Sequence, residues 1–188
     1  MNLPNKLTLM RVILVPFFVF FLLVNETLIP FSKIIALAIF IAASITDALD
    51  GHIARSRNLV TTFGKFLDPL ADKVLVIAAL VCFCELGIVG SVPLLIIITR
   101  EFMVSGLRLV TANEGVVVAA GIWGKLKTAF TMVAEVVILL GLCFNFPDNI
   151  NEIANIVYQV LIWIATALTV ISGGVYLNGY WKYIDASK

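Results

Sequence analysis

Charge is scarce in this chain: 13% of its 188 residues are Asp, Glu, Lys or Arg, about half the share of a soluble domain. With 61% apolar residues and a mean hydropathy of +1.07, a water-soluble globule is excluded. Thirteen Lys and Arg against twelve Asp and Glu leave a net charge of +1, too little for the broad basic field that nucleic acid requires, so any charge that matters acts locally. Histidine occurs once. The three cysteines, Cys82, Cys84 and Cys143, are odd in number and sit inside apolar runs. That is neither a disulfide framework nor a zinc site, and they read as small buried hydrophobes. Long polar stretches are also missing. A bilayer crossing takes about 20 apolar residues, so six take about 120 and leave about 68 for loops and ends, with no room for a separate soluble domain.

What is present is a series of apolar segments, at residues 7–28, 31–55, 66–87, 91–113, 125–146 and 153–176, separated by polar, Gly or Pro breaks. The pattern predicts an all-α integral membrane protein of six transmembrane helices, forming a single domain over residues 1–188. A short interfacial segment over residues 2–6, containing Pro4, is expected before the first helix, which Pro16 should bend. Lys6 and Arg11 beside the apolar run 12–24 have the look of a secretory signal, but no A-x-A-like cleavage site follows in residues 25–31. The segment is therefore read as a retained helix. If six helices alternate, Lys6, Arg11, Arg55, Arg57, Lys65, Lys125, Lys127, Lys182 and Lys188 fall on one side, and Lys33 is the lone basic residue of the other. Basic flanks stay cytoplasmic, so both termini should face the cytoplasm.

Ionisable groups within such segments cost roughly 2.5 to 3.5 kcal/mol at mid-bilayer and mark function by default. Asp47 and Asp50 lie three residues apart near the end of the second segment, and Asp68 and Asp72 lie four apart near the start of the third. Each pair shares a helical face. The connection between the segments is short, which makes them antiparallel neighbours whose acidic faces converge at one depth. Four like charges there need neutralising. Hard divalent cations bound through carboxylate oxygen do this, and one carboxylate can bridge two metals. Ion pairing with Arg55 or Lys73 is the structural alternative, but four acids outnumber those partners.

A second polar set is basic. Arg100 and Arg108 lie two turns apart, and Lys125 and Lys127 open the fifth segment. Such a set suits a substrate with a free phosphate. Glu101 can pair with either arginine, and Glu135 is read as an interhelical hydrogen-bonding group.

The stretch DALDGHIARSRNLVTTFGKFLDPLAD contains Asp47, two residues, Asp50, Gly51, two residues, Ala54, Arg55, eight residues, Gly64, three residues, Asp68, three residues and Asp72. At each of these eight positions it matches the signature of the CDP-alcohol phosphatidyltransferase family, which the chain resembles. The resemblance implies six helices with the motif across the second and third. It also implies transfer of a phosphatidyl group from CDP-diacylglycerol, or a related donor, to an alcohol. Two Mg²⁺ or Mn²⁺ ions would bind among Asp47, Asp50, Asp68 and Asp72, with Asp72 the base for the acceptor hydroxyl, and the protein would be a homodimer in membrane lipid. Gly51, Ala54 and Gly64 have little or no side chain, so a flat base and a pyrophosphate can come close to the backbone, although tight helix packing also accounts for Gly51 and Ala54. Arg55 can pair with a phosphate oxygen of the donor. Asn5, Thr8 and Arg11 are expected at the donor entrance, and His52, at a variable motif position, is read as a bystander.

The segments NLPNKLTLMRVILVP and ITREFMVSGLRLVTANEGVVVAAGIWGKLKT resemble the branch of the family that uses sn-glycerol 3-phosphate. That likeness implies phosphatidylglycerophosphate and CMP as products, made at the bacterial cytoplasmic membrane by a multi-pass protein whose active site faces the cytoplasm. Arg100, Arg108, Lys125 and Lys127 would then hold the acceptor phosphate. Inositol 1-phosphate, serine or phosphatidylglycerol are alternative acceptors that the metal motif would equally serve. A divalent-cation transporter is the alternative outside the enzyme class, but it would spread polar groups through both halves of the membrane.

Overall fold

The structure, a computed structural model, describes residues 3–56, 62–113, 121–144 and 146–181, with the backbone alone for 3–5, 47–56, 62–70, 72 and 112–113. Six helices follow one another: α1 (Leu3–Leu23), α2 (Ser32–Ser56), α3 (Thr62–Glu85), α4 (Ser91–Asn113), α5 (Ile122–Leu142) and α6 (Asp148–Tyr180). The described residues contain no strand. A helix satisfies its own backbone donors and acceptors, which is what an apolar run needs where water is absent.

The helix ends depart from the sequence expectations in ways that local chemistry explains. α1 already includes residues 3–6, so within the described residues that part of the expected segment is continuous with the helix; Pro4 sits in the first turn, where an N–H has no intrahelical acceptor to lose. The helix continues through Pro16 and stops at Leu23 instead of residue 28. Beyond it, Asn25 Oδ1 accepts the Thr27 N–H at 3.0 Å and the Asn25 carbonyl accepts that of Leu28 at 2.9 Å, so a turn replaces the last helical one. α5 starts three residues early, behind Gly121 in an extended conformation. α6 has 33 residues, about 50 Å at 1.5 Å per residue, and overruns its expected span at both ends. Asp148 in its first turn complements the positive end of the helix.

α1, α2 and α3 form one half of the bundle, with α1 packed on both others. Phe18 and Leu22 of α1, Ala36, Phe40 and Ala43 of α2, and Leu75, Ala79 and Phe83 of α3 are buried at spacings of three and four, which puts each set on one helical face. The Phe18 and Phe40 rings meet at 5.6 Å, and the alanines let the backbones approach. Lys33 Nζ closes the end of α1 by donating to the Leu22 carbonyl. In the other half, α4 and α5 both pack on α6. Gly141 lies against Tyr158 and Gly124 against Tyr176, an antiparallel register for α5 and α6. Arg100 meets Ser172 and Arg108 meets Tyr176, so α4 runs parallel to α6. The contact of Lys73 with Ser105 makes α3 and α4 antiparallel. The start of α3, the end of α4, the start of α5 and the end of α6 therefore share one end of the bundle.

Polarity is distributed inside out. Ile13, Phe17, Phe20, Leu95, Phe102, Trp163 and Ile171 are exposed, whereas Thr8, Arg11, Arg100, Lys127 and Glu135 are buried. Such an apolar exterior suits lipid as the surrounding solvent. Several hydroxyls are satisfied within their own helix: half-buried Ser44 and buried Thr131, Thr166 and Thr169 donate to the carbonyl four residues back at 2.7–2.9 Å, whereas the buried Ser32 hydroxyl has no hydrogen-bond partner among the described residues. Among the described residues two helices, α1 through Lys6–Leu23 and α6, are both long and apolar enough to cross a membrane. The other four have at least 21 residues each, about 31 Å, but charged residues interrupt them. Cys82, Cys84 and Cys143 are free thiols.

The α5–α6 contact depends on a missing side chain. A Cβ at Gly141 would lie 1.6 Å from the Tyr158 hydroxyl oxygen and 2.7 Å from the ring carbon bearing it. Gly141→Ala should destabilise the protein by about 2 kcal/mol, the scale of overpacking a filled site, and lower its thermal midpoint in detergent. In a Tyr158→Ala background the same substitution should cost little; an equal loss in both backgrounds would show that the ring is not the obstacle.

Candidate active site

The seven motif positions on α2 and α3 that carry acids or small residues at 47–54 and 64–72, together with Arg55, all lie on helical backbone. At 3.6 residues per turn, positions 47 and 50 share one face of α2, and positions 68 and 72 share one face of α3. The side chains of Asp47, Asp50, Gly51, Ala54, Arg55, Gly64, Asp68 and Asp72 fall outside the described residues, and so does the expected convergence of the two acidic faces. Their donor set, four carboxylates, fits hard divalent cations held by oxygen. Among the described residues no cluster of three or more His, Cys, Asp or Glu occurs. On α1, Thr8 and Arg11 are each 1% exposed and line no part of the cavity described next, while the Asn5 side chain is outside the described residues.

A cavity of about 650 Å³ opens among α3, α4, α5 and α6. Among the described residues five cations line it, Lys73, Arg100, Arg108, Lys125 and Lys127, against one carboxylate, Glu101. All four residues of the predicted basic set are thus brought together. Lys73 follows Asp72 directly in the chain, so one wall of the cavity belongs to the helix that bears the second acid pair.

The cations form two tiers. Arg100 and Lys127 are 9% and 3% exposed and both donate to a single oxygen, Glu101 Oε1, at 2.9 and 2.5 Å. Glu101 therefore serves Arg100 and a lysine two helices away in the packing, not Arg108. A second nitrogen of Arg100 donates to Ser172 Oγ, and the arginine stem crosses α6 at Gly173, where a Cβ would lie 3.0 Å from Arg100 Cγ. Buried and matched to a carboxylate, this tier is the floor of the cavity. Arg108 and Lys125 are exposed to it. Arg108 Nη2 donates to the Tyr176 hydroxyl at 2.8 Å, and Lys125 has no hydrogen-bond partner among the described residues. Among the described residues no carboxylate is hydrogen-bonded to Arg108 or Lys125, and positive charge facing open space is chemistry that suits an anion such as a phosphate.

The sequence pattern of CDP-alcohol phosphatidyltransferases matches residues 1–171. The chain belongs to the CDP-alcohol phosphatidyltransferase family. Its relatives include the CDP-diacylglycerol--glycerol-3-phosphate 3-phosphatidyltransferase of Bacillus subtilis, 42% identical over 197 aligned positions that cover 100% of this chain and 99% of the relative. Proteins of the same name from Rickettsia bellii and Haemophilus influenzae are 39% and 42% identical, covering 97% and 94% of this chain and 97% and 92% of the relatives.

Within this CDP-alcohol phosphatidyltransferase, sequence reading missed Lys73, Ser105 and Tyr176 as parts of the cavity, and Ser172 as the partner of Arg100. Lys73 was weighed only as an ion-pair partner for the acids, and it meets Ser105, whose Oγ donates to the Glu101 carbonyl at 2.6 Å. The serines and Tyr176 carry no charge, so nothing in the sequence distinguishes them from other helix residues. Glu135 is buried with neither carboxylate oxygen hydrogen-bonded among the described residues, so the interhelical bond expected of it is not found there.

Removing the shared carboxylate should be costly. Glu101→Gln would leave Arg100 and Lys127 buried without their counter-charge, a loss of about 3 kcal/mol that should lower the thermal midpoint in detergent by several degrees. Glu101→Asp should lose less. A midpoint unchanged in Glu101→Gln would mean that the buried cations are balanced elsewhere.

Proposed function

We propose that the protein transfers the phosphatidyl group of CDP-diacylglycerol to sn-glycerol 3-phosphate, giving phosphatidylglycerophosphate and CMP. Relatives named for this reaction align over the length of the chain, and the observation in the molecule that supports the acceptor is the cation-lined cavity beside the Asp72-bearing helix. An acceptor with its own phosphate needs a positive pocket separate from the acids that handle the donor. Arg108 and Lys125, exposed in that pocket, bind the phosphate; Arg100 and Lys127, balanced by Glu101, stiffen the floor beneath it. Serine as acceptor would leave this positive charge unused.

Arg55 holds a donor phosphate, and Gly51, Ala54 and Gly64 admit the nucleotide close to the helices, with Asn5, Thr8 and Arg11 toward the donor entrance. Two divalent cations, Mg²⁺ or Mn²⁺, held by Asp47, Asp50, Asp68 and Asp72, would supply charge stabilisation to the donor pyrophosphate and the leaving CMP. Asp72 accepts the proton of the glycerol 3-phosphate hydroxyl as that oxygen bonds to the phosphatidyl phosphorus and the bond from phosphorus to CMP breaks. All six helices cross the bacterial cytoplasmic membrane, with both termini and the active site on the cytoplasmic side, in keeping with the basic residues at that end of the bundle. The whole chain acts as one domain, and a homodimer is the expectation from the family.

The test is CMP release by the purified protein with CDP-diacylglycerol, Mg²⁺ or Mn²⁺, and a panel of alcohols. Glycerol 3-phosphate should be used, and glycerol, serine and inositol 1-phosphate should be poor; turnover of one of these in its place would refute the acceptor. Arg108→Ala and Lys125→Ala should each raise the KM for glycerol 3-phosphate at least about tenfold while changing that for CDP-diacylglycerol far less, since charge-assisted bonds to the phosphate are lost.

Asp47→Asn, Asp50→Asn, Asp68→Asn and Asp72→Asn should each abolish most turnover while the fold persists, because the amide keeps the shape and loses the charge. Mn²⁺ binding should survive better in Asp72→Asn than in Asp50→Asn. Equal loss of affinity would make Asp72 an ordinary ligand.

A further inference from the structure

Arg108 is exposed on the end of a long, rotamer-rich side chain, and such a group gives a defined phosphate site only if something holds it in place. Tyr176 does so. It is 5% exposed, in α6, and its hydroxyl oxygen accepts from Arg108 Nη2 at 2.8 Å. The same oxygen accepts the backbone N–H of Gly121 at 3.1 Å. The guanidinium carbons of Arg108 and Arg100 lie 5.4 and 5.7 Å from the centroid of its ring, so the phenol is also the apolar plate on which both arginines rest. Gly124 leaves room for it: a Cβ there would come 3.4 Å from the hydroxyl.

The Gly121 contact carries the argument beyond Arg108. Gly121 is the N-cap of α5, whose first N–H groups have no intrahelical acceptor, and Lys125 stands one turn further on. One phenol oxygen on α6 therefore takes an N–H from α4 and an N–H from the start of α5. It sets the spacing between the two exposed cations of the cavity, which come from different helices. Of five N–H donors on Arg108, one is given to Tyr176, and the planar group is oriented by that bond.

We infer that Tyr176 is a positioning residue for the acceptor phosphate, acting through Arg108 and the start of α5 rather than on the reacting atoms. The inference rests on the reading above that Arg108 and Lys125 bind that phosphate. Its test is Tyr176→Phe, which keeps the ring and removes the oxygen. The KM for glycerol 3-phosphate should rise about tenfold, the scale of one hydrogen bond to a charged group, while kcat and the KM for CDP-diacylglycerol stay within about twofold. In an Arg108→Ala background Tyr176→Phe should add clearly less than in the wild type, because the route through the arginine is gone and only the contact with the start of α5 remains. Tyr176→Leu, without the ring, should be worse than Tyr176→Phe.

Calorimetric titration of the purified wild type with glycerol 3-phosphate separates the two levels of the argument. If the wild type neither binds nor uses glycerol 3-phosphate, the acceptor reading fails. If it does both, and Tyr176→Phe leaves the KM unchanged, lowers kcat alone, or adds its full effect to Arg108→Ala, the positioning role is overturned. A tenfold rise confined to the acceptor, clearly reduced in the Arg108→Ala background, supports it.

Discussion

One oxygen of Glu101 takes hydrogen bonds from Arg100 and Lys127, and the polar half of the bundle is organised around that shared contact. Neither cation could remain buried among α3, α4, α5 and α6 without a counter-charge, because desolvating an ammonium or a guanidinium costs several kcal/mol. With the carboxylate between them, two charges are settled at the base of the cavity and α4 is joined to α5, which otherwise meets it mainly through α6. The consequence reaches the site above. Since Glu101 is occupied below, Arg108 and Lys125 face the cavity without a carboxylate partner among the described residues, and cations border the space between them.

The same economy of partners runs through the rest of the fold. An apolar surrounding does not hydrate polar groups, so hydroxyls turn back onto their own helices, Lys33 closes the end of α1, and Arg100 lies across α6 at a position where glycine leaves space for its stem. In the α1–α2–α3 half the core is aromatic and aliphatic, where Phe18, Phe40 and the small alanines fit together, although Thr8 and Arg11 are buried there too. The half with the cavity is held in addition by bonds among charged groups that also shape the cavity.

Family membership and the cationic lining of the cavity are separate observations. The first comes from residues along the chain, the motif on α2 and α3 above all; the second comes from side chains on four helices, of which, among the cations, only Lys73 is near the motif in sequence. Their meeting point is α3, whose Asp68 and Asp72 precede Lys73 by five residues and by one residue. A helix carrying both the acids and a cation of the cavity is the physical link on which the proposed meeting of donor and acceptor rests.

Six helices, the acid spacing of 47, 50, 68 and 72, and the candidacy of Arg100, Arg108, Lys125 and Lys127 were legible from the chain alone, because apolar runs and charges inside them are local, one-dimensional signals. Helix ends were less so. The stop at Leu23 depends on how Asn25 turns back on its neighbours, and the length of α6 on which turns its neighbours support. Only the tertiary structure sorted the four basic residues into a buried, neutralised pair and an exposed pair, since the partner that decides this, Glu101, could equally have served Arg108 by sequence distance. Tyr176 was invisible for the same reason: an uncharged residue acquires its role when packing brings its oxygen within reach of Arg108 and Gly121, 68 and 55 residues away along the chain. Composition and periodicity report what each segment must avoid, namely water or lipid, whereas the choice between equivalent partners is made by the register in which the helices pack.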